Sequence, residues 1–312
     1  MELHPQARRF VQAISVAGRP LWHLPPVEAR HAYAKRVAKA TVRPTGSVLV
    51  GEGTAFGPAG GIPLRTYRPA ERQGERLPVV IFLHGGSFVL GGLETHDPQC
   101  RAVAAKSGCL VVSVDYRMAP EHKFPAAVDD AFAATCWLAD HAASLGGDRD
   151  RMAVMGDSNG GALAAVVSHM AQDRGGPGFA LTCMVCPSTD IYGDLPSHAR
   201  LHSDVLLSWP LVDWSFGLYL NGPEERRDPR FAPLQRSQVA GLPPLLMVTA
   251  EADPLYDDGS AYADKLAAAG VPVEHVCFPG QVHNFVLWGG VIDAADEALD
   301  LIGNRLKAAL AA

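Results

Sequence analysis

A chain of 312 residues with 48% hydrophobic side chains fits one large α/β domain carrying an insertion better than two smaller domains. Its net charge of −6 leaves no broad basic face for nucleic acid, since Arg8-Arg9 and Arg226-Arg227 are short runs of the kind a solvated surface carries. Six cysteines are too sparse for a disulfide scaffold, and with neither a signal-like N-terminus nor an apolar run of about eighteen residues, a soluble cytoplasmic protein is expected.

Hydrophobic periodicity divides the chain. Residues 5–40 read as a helical N-terminal region. Strands are expected near 47–51, 63–67, 77–83, 109–115, 152–155, 181–186, 244–248 and 273–278, with helices over 126–145, 158–172, 260–268 and 291–309. That alternation is the pattern of an eight-stranded, mostly parallel sheet flanked by helices. Between the sixth and seventh strands, residues 189–242 are far too many for a simple connection, and such connections often serve as lids. They are read as an inserted cap segment, residues 1–45 as an N-terminal helical cap segment, and 46–188 with 243–312 as the catalytic body. The apolar run 206–220 supplies Trp209, Trp214 and Phe216. These three are candidates for the substrate pocket, and packing of the cap onto the body is the competing use for each.

The densest chemical signal is Gly156-Asp157-Ser158-Asn159-Gly160 after the apolar run Met152 to Met155. A strand that turns sharply into a helix presents a serine in strained backbone, and small residues on either side remove the clash. The following helix points its N-terminus at Ser158, which favours negative charge there. Ser158 is the candidate nucleophile. A serine hydroxyl needs a base and a group that holds the base in its tautomer. His283 and Asp253 follow later strands in the order serine, acid, histidine, and both sit where open α/β sheets place their sites. His84 competes as base, and Glu251, Asp257 and Asp258 compete as acid. Asp157 is expected to brace the turn.

Acyl transfer also requires donors for an oxyanion. His84-Gly85-Gly86-Ser87-Phe88 follows the third strand, so the N–H groups of Gly85 and Gly86, with that of Asn159, are the expected set, and His84 is their scaffold. Ser87 and Phe88, beside this loop, join the pocket candidates. Cys183-Met-Val-Cys186 has CxxC spacing, but an apolar strand is a poor place for a redox turn and no second pair completes a zinc site, so no metal is expected.

Taken together, His84-Gly-Gly-Ser-Phe-Val, Asp115-Tyr-Arg-Met-Ala-Pro-Glu-His, Gly156-Asp-Ser-Asn-Gly-Gly, Asp253-Pro-Leu and His283-Asn-Phe resemble the hormone-sensitive-lipase-like esterases, family IV of the bacterial lipolytic enzymes. The resemblance implies an α/β-hydrolase fold, hydrolysis of short-chain carboxylic esters, a small-molecule substrate and no cofactor. It also implies a helical cap over the site and a homodimer built on the edge strand near Val273 or on the C-terminal helix. An amidase, an arylacetamide deacetylase-like enzyme or a lactonase would use the same three residues. A non-catalytic receptor on the same scaffold is disfavoured because His283 is present. Two positions depart from the pattern. Ser87 stands where a third glycine is usual, and Asn159 where alanine is common, so both are expected to tune specificity. The run 115–130 reads as structural, with Pro120 and Pro125 as candidate cis prolines and Arg117 paired to Glu121 or Asp129.

Overall fold

The computed structural model describes residues 2–15, 19–41, 46–202 and 206–311. Residues 1, 16–18 and 42–45 of the expected N-terminal segment, and 203–205 of the expected insertion, lie outside them. Strand β1 spans Val48–Gly57 and β2 Gly60–Pro69. They form a hairpin longer than the two short strands expected, because their alternating, largely exposed residues give a weak apolar signal. Strand β3, Leu77–Leu83, is apolar and buried along its whole length, as a strand covered on both faces must be. Strands β4 (Leu110–Val114), β5 (Gly147–Asp157), β6 (Leu181–Val185), β7 (Leu245–Ala250) and β8 (Val273–Phe278) complete a single sheet in the order β1-β2-β4-β3-β5-β6-β7-β8. The β1–β2 and β2–β4 pairs are antiparallel and every other pair is parallel.

Alternate residues of the central strands feed two different cores. Val79, Ile81 and Leu83 join Val112 and Val154 on one face, whereas Val80 and Phe82 join Val111 and Met155 on the other. Helices α1 and α2 are Pro5–Ser15 and Pro26–Ala40. Helix α3, Leu93–Ser107, packs with α8, Ala294–Ala309, over the second face. The first face is covered by α4, Ala126–His141, and α5, Asn159–Arg174. Helix α6 is Trp209–Tyr219 and α7 is Tyr256–Ala268. Helix α3 has no counterpart among the expected helices. Pro98 lies inside it and its apolar residues do not gather on one side, so the periodicity that identifies a helix is faint. No helix among the described residues is long and apolar enough to cross a membrane.

The loop between β4 and α4 fixes the surroundings of the site. Both Ala119–Pro120 and Phe124–Pro125 are cis. Arg117 pairs with neither Glu121 nor Asp129. Its guanidinium meets buried Asp130 through two bonds of 2.8 Å, because Asp130 lies one turn into α4 and faces back toward the loop. Glu121 is engaged instead by Arg30 of α2 at 2.6 Å. Arg30 also donates to Val89 O at 2.8 Å and Ala119 O at 2.7 Å, so one side chain ties α2 to the loop after β3.

Candidate active site

Ser158 stands between β5 and α5 with φ 53° and ψ −122°, a region that residues with a Cβ avoid. The turn is tight. A Cβ on Gly156 would run into Gly160 O, and one on Gly160 into Leu83 O. The Ser158 N–H donates to Val185 O at 2.8 Å, which ties the strained turn to β6.

Residues far apart in the chain meet at this serine. His283 Nε2 lies 3.1 Å from Ser158 Oγ, and His283 Nδ1 lies 2.8 Å from Asp253 Oδ2. The other oxygen of the fully buried Asp253 accepts the Leu255 N–H at 2.8 Å, which fixes the carboxylate plane. Burial alone would lower the His283 pKa, but the charge of Asp253 and its hydrogen bond outweigh that and hold it above the ordinary histidine value. The three competing acids are directed elsewhere. Glu251 accepts the Gly280 N–H at 2.8 Å, Asp257 accepts the Ser197 N–H at 2.7 Å, and Asp258 meets His198 at 2.5 Å. His84 stacks on Tyr116 with its Nδ1 2.9 Å from Gly85 O, and burial drops its pKa to about 4. It is therefore a neutral ring that holds the loop at ordinary pH.

Asp157, completely buried beside the serine, accepts Gly85 N–H through Oδ1 at 3.1 Å. Its Oδ2 receives Asn284 Nδ2 at 2.5 Å and faces His96 Nε2 at 3.3 Å. Burial pushes this carboxyl pKa up, yet His96 and Asn284 prevail and hold it below the ordinary aspartate value. One expectation is corrected by this contact. The Gly85 N–H is already donated to a carboxylate and cannot also serve an oxyanion. Gly86 and Ser87 line the cavity beside Ser158, as does Leu90 further along the loop, and Ser87 holds φ 55° without being glycine. Asn159 opens α5, where the first N–H groups have no partner within the helix. Its own side chain is 97% buried and does not line the cavity.

The pocket candidates divide. Ser87 lines the cavity; Phe88 does not, being stacked on Tyr219 of α6 at 4.1 Å. Phe216 is buried in the core against Phe231, Trp214 packs against the same cluster, and Trp209 lines outer cavities with Tyr192. Large aromatic rings gain most from full burial, so they anchor α6. The wall facing Ser158 is made by Leu206, Leu207 and Leu211, by Ile14, Leu21, Tyr33 and Arg36, and by Leu90 and Trp288. Tyr33 and Arg36 share a face at helical spacing, but no signal in the sequence marks that face as the inward one.

Among the described residues, one group of three possible metal donors stands out: Cys186, Asp253 and His283, whose ligand atoms lie within 4.8 Å of one another. Two of them are hydrogen bonded to each other already, and burial raises the Cys186 thiol pKa. A thiolate ligand is therefore disfavoured there.

A family model described as alpha/beta hydrolase fold matches residues 80–287. Carboxylesterase NlhH of Mycobacterium tuberculosis is 42% identical over 252 residues, which are 80% of this chain and 79% of that protein. An ester-hydrolase from the metagenome of Lake Arreo superposes with a TM-score of 0.94 at 39% identity over 98% of each chain. A thermostable esterase from Pseudomonas putida ECU1011 does so with a TM-score of 0.95 at 35% identity, covering 100% of this chain and 98% of that one.

Proposed function

The chain belongs to the α/β-hydrolase-fold family and, within it, to the hormone-sensitive-lipase-like esterases, and from that premise we propose that it hydrolyses small carboxylic esters through Ser158, His283 and Asp253. The observation that carries the assignment is the continuous chain of contacts, 3.1 Å from serine to histidine and 2.8 Å from histidine to aspartate, at a serine held in strained backbone.

Ser158 Oγ attacks the ester carbonyl while His283 Nε2 takes its proton. Asp253 keeps the proton of Nδ1 in place and stabilises the imidazolium. The oxyanion is received by the N–H groups of Gly86, Ser87 and Asn159, donors aimed at charge that develops only in the transition state. His283 then protonates the departing alcohol. A water, activated by the same imidazole, attacks the acyl-enzyme and releases the acid. We assign residues 1–45 and 189–242 jointly as the cap that shapes the pocket, and residues 46–188 with 243–312 as the catalytic body.

The test is hydrolysis of chromogenic esters with acyl chains from about two to about twelve carbons, with Ser158→Ala as control. Turnover of the shorter chains that disappears in Ser158→Ala is expected. Equal turnover by the variant overturns the nucleophile assignment, and better turnover of amides than of matched esters overturns the reaction class.

A further inference from the structure

Five leucines, Ile14 and Trp288 make the apolar wall of the cavity beside Ser158, yet α2 turns Tyr33 and Arg36 into it, three residues apart on one helical face. Arg36 is half-buried and has neither an ion pair nor a hydrogen bond to any described residue. The contrast with its peers is sharp. Arg30, Arg65, Arg117 and Arg236, each partly buried, all meet a carboxylate. A guanidinium cannot shed its proton at ordinary pH, so one half removed from water without a counter-charge is unfavourable until an anion arrives. Burial does weaken the hold of Arg36 on its proton, although Tyr33 opposes this.

Arg36 also borders a second cavity, which it shares with Ile14 and which lies between α1 and α2. Arg19, Lys35 and Lys39 line that cavity too, and none of them is ion-paired to a described residue. Arg36 thus faces the nucleophile's cavity, and three exposed cations line the cavity on its other side, on a chain whose net charge is −6. Such a local field concentrates anions at the site.

We infer that the favoured substrates are esters bearing a free carboxylate, with Arg36 pairing to that carboxylate while the ester carbonyl sits at Ser158. Planar guanidinium and carboxylate match in two parallel hydrogen bonds, and the leucine wall accommodates the carbon chain between the charge and the ester. This rests on the esterase reading above and names the substrate class for it.

Two matched pairs test it. With the charge on the acyl side, para-nitrophenyl hydrogen glutarate is compared with para-nitrophenyl pentanoate; with the charge on the alcohol side, para-acetoxybenzoate is compared with para-tolyl acetate. In at least one pair the charged-to-neutral ratio of kcat/KM should exceed one in the wild type and fall about tenfold or more in Arg36→Met, chiefly through KM. Arg36→Lys should restore part of the ratio, and added salt should reduce it in the wild type. A readout that needs no turnover is calorimetric titration of Ser158→Ala with the preferred charged ester, whose Kd should rise about tenfold on adding Arg36→Met. Turnover of the neutral esters with ratios indifferent to Arg36 in both pairs overturns the carboxylate assignment and leaves the esterase reading standing. Absence of all turnover by folded wild type, with Arg36-dependent binding intact, does the reverse. Binding indifferent to Arg36 overturns the assignment whatever the kinetics.

Discussion

Asp157 joins three chain segments through one buried carboxylate: the loop after β3 at Gly85, helix α3 at His96 and the histidine loop at Asn284. Asp157→Asn keeps the volume but removes the charge and puts a donor where one of the bonds was accepted. Its kcat is expected to fall about tenfold to a hundredfold, less than outright loss of an oxyanion donor, with KM changed much less. Stopped-flow kinetics on the folded variant checks this, and an unchanged kcat would show that the carboxylate does not set the loop. The raised His283 pKa gives a second expectation. The base works only when neutral, so kcat/KM should fall as pH drops through a value above the ordinary histidine pKa of about 6.5. Asp253→Asn removes the charge that raises it, so the remaining activity should show its acid limb at lower pH. A pH–rate profile that is flat through the histidine range contradicts the assignment. At this scale the sequence was informative because Ser158, Asp253 and His283 follow apolar runs in a required order. It was uninformative about Gly85, since a glycine in a loop does not disclose whether its N–H is free or already bonded.

Among the elements, the segment between β6 and β7 is moored to the start of α7. Ser197 donates to Asp257 and to Pro254 O, His198 meets Asp258, and the Asp190 N–H reaches the other Asp258 oxygen at 2.8 Å. Burial raises the Asp258 pKa, while the His198 pKa, which burial alone would lower, is held up by Asp258. Both shifts mean that the folded state binds protons more tightly than the unfolded one. The stability contributed by His198 is therefore full below about pH 6.5 and lost as pH rises through its folded value. The protection of amides in residues 196–202 against hydrogen exchange, taken relative to their intrinsic exchange rates at the same pH, is expected to be greater in mild acid than in mild alkali. His198→Ala, which leaves Asp258 buried with one partner fewer, should cost roughly 1–3 kcal/mol, read as a lower Tm, and should abolish that pH contrast. A contrast that survives the substitution would place its origin elsewhere. None of this anchoring was legible beforehand: His198 and Asp258 are sixty residues apart, and α6 is apolar on so many sides that periodicity could not separate cavity-facing Leu211 from the ring residues that hold the helix in place.

For the whole molecule, the parallel strands set the reacting groups at their carboxyl ends, with Ser158 after β5, Asp253 after β7 and His283 after β8. The order of alternating apolar and helical stretches disclosed that framework, because a strand buried on both faces has little latitude in composition. Most of the pocket wall comes from a different source. Ile14, Leu21, Tyr33 and Arg36 precede the sheet, and Leu206, Leu207 and Leu211 belong to the connection between β6 and β7. Most of the pocket wall thus comes from stretches separate from those that carry the reacting groups, with Leu90 and Trp288 the exceptions. Shuffling those two stretches among relatives, or drawing a mutant library from their seven wall positions, would explore new preferences while the acyl-transfer apparatus is inherited intact. Over longer times, drift in the same stretches would let one ancestral catalyst diversify without passing through an inactive form.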